Sequence, residues 1–88
     1  MATVEERNFV NSKLRQQLGI MRSRMRNRPG HYCWYNNDGV IDMKNVNMFT
    51  DTDAQQYDVV GVYTGDIDSN VLRDDLLWYI ENVMEEYL

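Results

Sequence analysis

The sequence predicts a small single-domain α+β protein in the order α-β-β-β-α, a three-stranded antiparallel sheet packed by N- and C-terminal helices. Three observations support this: helix-period apolar stripes at both ends, a change of period after Pro29-Gly30, and the turn motif Asn36-Asn37-Asp38-Gly39 between two short apolar runs. Eighty-eight residues, 43% hydrophobic and 26% charged, fit one globular domain. A domain this small buries a modest share of its surface, so a staple, a metal or a second copy would reinforce it. Cys33 is the only cysteine, which excludes an internal disulfide and argues against a zinc site of the usual Cys/His type. A homodimer is the reinforcement left.

The first helix is expected to begin at Thr3, which with Glu6 matches a capping box, and to end near Pro29-Gly30. At 100° per residue, Val10, Leu14, Leu18, Met21 and Met25 fall within an arc of about 80°, the stripe of a helix packed along one side. Gly19 interrupts it at a cost of about 1 kcal/mol relative to Ala. The alternation Arg22-Ser23-Arg24-Met25-Arg26-Asn27-Arg28 would put four guanidinium groups on one face of a strand. The stripe through Met25 favours a helix, which splits them into two rows.

Tyr32-Cys33-Trp34-Tyr35 and Val40-Ile41-Asp42-Met43 read as a hairpin closed by the Asn/Asp/Gly turn. Residues 44–56 are polar and read as a loop, and residues 57–64 as a third strand around Val59, Val60 and Val62. The last helix is expected to be capped by Asp68 or Ser69 and to run to the end of the chain. Leu72, Leu76, Tyr79, Ile80, Val83 and Tyr87 fill an arc of about 100°, widened by Leu77, Met84 and Leu88. That width suggests contact with the first helix or with a second subunit.

Charge divides the chain. Residues 1–30 carry seven basic and two acidic side chains, while residues 31–88 carry two basic and twelve acidic ones, giving −5 in all. Such a division points to charged partners or to two complementary halves. On the last helix, Trp78 sits among Asp74, Asp75, Glu81 and Glu85, a large aromatic ringed by acids. An interface hot spot has this form, the ring anchoring and the rim selecting a basic partner. The competing expectation is that Trp78 covers the core edge or stacks on an arginine of the first helix. Arg15, Arg22, Arg24, Arg26 and Arg28 offer an alternative function, nucleic-acid binding through phosphate neutralisation. Their simpler role is pairing with the acidic helix.

Metal and catalytic patterns are weak. Asn36, Asp38 and Gly39 resemble part of a calcium loop that lacks its end carboxylates, and Asp66, Asp68 and Asn70 fail at the glycine and last positions. Asp51 and Asp53 form a lone D-x-D. His31 and Cys33 could form a dyad but lack an orienting third group, so His31 is expected as a partly buried aromatic. No glycine-rich phosphate loop or nucleophile elbow occurs, so neither a cofactor nor an enzymatic role is expected. Tyr32, Trp34, Tyr35, Tyr57 and Tyr63 are expected mostly in core or edge packing, with an exposed platform for a peptide or base as the alternative for one face. The longest apolar run, Leu76-Leu77-Trp78-Tyr79-Ile80, is too short for a bilayer, and the N-terminus lacks a signal-like stretch. A cytoplasmic chain without a membrane partner is expected.

In size, acidity and lack of motifs the chain resembles the accessory proteins with which bacteriophages bind and block host enzymes, some of which imitate the charge of DNA. That resemblance implies a non-enzymatic inhibitor or modulator. Its acidic C-terminal helix would occupy a basic, nucleic-acid-binding surface of a host protein.

Overall fold

The computed structural model describes residues 3–84, arranged as the sequence predicts, with one further short helix. Helix α1 spans Val4–Met25 and starts directly after Thr3. Leu14, Met21 and Met25 are buried and Leu18 is half-buried along the expected stripe; the Val10 side chain lies outside the described residues. The helix stops short of Pro29-Gly30. Asn27 takes a left-handed conformation at φ 63°, which asparagine tolerates better than most residues, and this breaks the ladder before proline would. Arg26 and Arg28 therefore lie in the connecting turn, with only Arg22 and Arg24 in the last helical turn.

Strands β1 (His31–Asn37) and β2 (Val40–Asn45) form an antiparallel hairpin, Asn37 opposite Val40. Asp38 and Gly39 have φ of 53° and 88°, the two positive values that a tight hairpin turn demands, and Asn36 Oδ1 accepts the Gly39 amide at 2.8 Å. Strand β3 (Asp58–Thr64) pairs antiparallel with the other edge of β1, so the order is β2-β1-β3. Trp34 faces Gly61 and Tyr35 faces Val59, which leaves Val60 as an extra residue in a bulge. A Cβ on Gly61 would come within 2.7 Å of the Tyr63 hydroxyl; the bare glycine admits that ring, which meets Trp34 edge-on at 6.1 Å.

Residues 44–56 are not simply a loop. They hold the end of β2, a 3-10 turn (Val46–Met48) and a six-residue helix, α2 (Asp51–Gln56). Thr50 and Asp53 close a capping box, each accepting the other's backbone amide. None of the helix is fully buried, so it has no apolar period to reveal it. Its neighbours cover the second face of the sheet, where Tyr35 lies against Tyr57 at 4.9 Å and Phe49 at 5.4 Å. Cys33 and Tyr35 are buried there, so the exposed aromatic platform does not form on β1.

Helix α3 (Ser69–Asn82) is capped by Asp68, whose Oδ1 accepts the amides of Asn70 and Val71. Leu72, Leu76, Tyr79 and Ile80, followed by Met84, pack with α1 against Tyr32, Trp34 and Ile41 of the sheet. Burying one such aliphatic side chain contributes about 1.5–3 kcal/mol. Over the described residues the narrower arc of α3 is thus taken up within the chain, while Leu77 is half-buried outside that cluster. The helix pair is also latched at one end: Arg22 donates from Nε to Ser69 Oγ at 3.1 Å and from its terminal nitrogen to the Gly65 carbonyl at 3.2 Å. No helix of the described residues is long and apolar enough to cross a membrane.

Candidate functional site

Because Leu72, Leu76, Tyr79 and Ile80 fix which side of α3 meets the core, the opposite side is set as well. Val71 and Trp78, two turns apart, lie on it. Trp78 is 63% exposed and Val71 52%, whereas Trp34, the other tryptophan, is 1% exposed. Among the described residues the Trp78 indole makes no ring or cation contact. Among those residues it neither closes the core nor stacks on an arginine of α1. Its carbonyl accepts the Asn82 amide nitrogen at 2.8 Å, a bond that braces the end of the helix beneath the ring.

The acidic rim is uneven. Asp74 is exposed and 3.7 Å from Arg73, its neighbour in sequence. An exposed pair of this kind contributes about 0–1 kcal/mol and leaves the carboxylate accessible. Glu81 is exposed one turn beyond the ring. Asp75 behaves differently: it stands beside the Tyr63 hydroxyl. Burial, and then the Asp75 charge, push that phenol up to about 12. Asp75 therefore faces β3 as much as solvent. Glu85 lies outside the described residues. The rim that remains is Asp74 and Glu81, and Val71, which the charge pattern did not single out, extends its apolar centre.

The five candidate arginines lie in different surroundings. Arg22 is committed to the latch with Gly65 and Ser69. Arg15 and Arg26 are exposed and have no partner among the described residues. Arg24 and Arg28 border a cleft of about 640 Å³ between the end of α1 and the β2 edge. No ion pair joins α1 to the acids of α3 among the described residues.

Residues of the weak metal and nucleophile patterns are engaged locally. Asn36, Asp53 and Asp68 each accept a backbone amide. Hydrogen bonds from Thr50, first from its backbone and then supplemented by Lys44, hold Asp53 below the usual carboxylate range. Among the described residues no three His, Cys, Asp or Glu side chains converge as metal ligands would. His31 is exposed, contrary to expectation, because it opens β1 at the end of the sheet. Cys33, two residues on, is buried, and burial followed by the Asp53 charge pushes its thiol up, away from the reactive thiolate. Comparison with known protein families, with characterised proteins and with solved structures finds no match to this chain.

Proposed function

We propose that this chain is a non-enzymatic protein-binding module that engages a basic surface of another protein through the outer face of α3. The observation that carries the reading is the 63% exposure of Trp78 in mid-helix, with no ring or cation contact among the described residues. Sealing the exposed part of such a ring in a partner's pocket is worth about 3 kcal/mol. Asp74 and Glu81 supply the rim, repelling acidic surfaces and steering basic ones towards the ring. A nucleic-acid-binding protein presents a basic surface of this kind, and occupying it would exclude the nucleic acid, the action of an inhibitor that mimics DNA charge.

Affinity capture from a bacterial lysate tests this, with wild-type, Trp78→Ala and Asp74→Asn/Glu81→Gln chains as baits and nuclease treatment throughout. The expected result is a protein retained by wild type after nuclease, lost with Trp78→Ala and eluted at lower salt from the charge variant. With that partner purified, burial of the indole should shift Trp78 emission to the blue. Equal retention by all three baits would sink the proposal.

A further inference from the structure

We infer that the cleft between the end of α1 and the edge strand β2 is a binding site for the phosphate backbone of a single-stranded nucleic acid. This goes beyond the α3 reading and does not depend on it. Two cations reach the cleft from separate parts of the chain, Arg24 from the last turn of α1 and Arg28 from the turn after it; Lys44 of β2 borders it, with its ammonium turned to Asp53 and the Tyr35 ring on the other face of the sheet. No carboxylate lines it among the described residues. Asp53 lies 3.3 Å from the Lys44 ammonium and offsets its charge, so the two arginines carry the site. Arg24 and Arg28 are exposed, and their guanidinium groups have no hydrogen-bond or ion-pair partner among the described residues. Asn45 adds a neutral donor: its Oδ1 accepts the Asn47 amide at 3.0 Å, which leaves its amide nitrogen to donate.

The turn that carries Arg28 is held in place. The Tyr32 hydroxyl donates to the Arg28 carbonyl at 3.2 Å, and the Gly65 amide donates to the Gly30 carbonyl at 3.2 Å. Asn27 sets its direction with the left-handed φ described above. A site of donors on a braced backbone suits a ligand made of acceptors, and phosphate oxygens are acceptors alone. Met48, 69% exposed on the rim, offers an apolar surface beside the cations, where the face of a base could rest. The chain as a whole is −5. A duplex would bring many phosphates within reach of the acidic residues, whereas a flexible single strand can confine its contacts to one cleft.

The test is fluorescence anisotropy with an end-labelled oligothymidylate of about 20 nucleotides, at about 50 and about 200 mM salt. Two cations predict a slope of log K against log salt near −1.4, from about −0.7 per neutralised phosphate. Arg24→Gln/Arg28→Gln should weaken binding at least about tenfold and flatten the slope to near zero. Circular dichroism should show the fold unchanged, since both side chains are exposed. Arg15→Gln/Arg26→Gln, outside the cleft, should bind within about twofold of wild type, as should Trp78→Ala. The inference fails if the oligonucleotide does not bind at low salt, or if both arginine pairs lose affinity equally. It also fails if a duplex of the same length binds as tightly, or if a phosphoserine peptide displaces the strand more effectively than unlabelled oligothymidylate does.

Discussion

Along α3, the side turned to the sheet carries Leu72, Leu76, Tyr79 and Ile80, all buried, while the side turned away carries Val71, Asp74, Trp78 and Glu81, all exposed. Trp78 and Tyr79 are adjacent in the chain and 63% and 5% exposed. Both faces hold a large aromatic residue, so composition does not distinguish them. What distinguishes them is a neighbour. The inner face meets α1 and β1, and among the described residues the outer face meets only the edge contact of Asp75 with Tyr63. A helix that needed only to complete the core would have polar residues where Val71 and Trp78 stand.

The largest effect that could break this contrast comes from truncating one residue on each face. Leu76→Ala should cost about 2–5 kcal/mol, a large part of what a domain of this size has, and be read as a lower urea midpoint. Trp78→Ala should stay within about 0.5 kcal/mol of wild type in the same titration. A loss above about 2 kcal/mol at Trp78 would mean that the ring serves the fold, and the division of α3 would fall.

A smaller effect sharpens the boundary between the faces. Tyr63 titrates near 12 rather than 10.0, through burial and then the Asp75 charge. Because its folded value is raised, this phenol contributes stability that is fully present below pH 10 and is lost as pH rises through about 12. Tyr35, raised to about 12 by burial and then by Asp42, adds to the same alkaline loss. Following phenolate absorbance against pH, Asp75→Asn should bring Tyr63 back towards 10.0 and leave Tyr35 in place. An unchanged titration would place Asp75 wholly on the outer face.

The smallest expected effect lies on α1. A Cβ at Gly19 would meet nothing within 4 Å. Gly19→Ala should therefore raise stability by about 0.5–1 kcal/mol through helix propensity alone, measured by thermal melting. A destabilised variant would show that the exposed side of α1 is in contact with something, as a dimer would require.

Periodicity made α1, the hairpin and α3 legible, because each buries a regular subset of its residues. Asp68 was readable as a cap and Asp38-Gly39 as a turn for local reasons that need no tertiary contact. Helix α2 carried no stripe, and its one signal was the Thr50/Asp53 pair inside a polar segment. The exposure of Trp78 could be read from its place opposite the apolar arc. The influence of Asp75 on Tyr63 could not, because it depends on how α3 lies across β3. The cleft was hidden for the same reason: Arg24 and Arg28 were visible as charges, but Lys44, Asn45 and Met48 join them only once β2 is laid beside the end of α1.

Gly65 marks where two distant stretches of backbone touch. A Cβ there would lie 2.5 Å from the Arg28 carbonyl oxygen and 3.2 Å from that of Met25, and neither backbone can yield as a side chain would. In a library of single substitutions, position 65 should therefore admit glycine alone, while position 19, in open space, should admit almost any helix-forming residue. For anyone redesigning this chain, the arginine-bearing turn and the start of α3 are one unit. Loops elsewhere can be lengthened or exchanged, but the turn can be transplanted only together with the glycine beneath it.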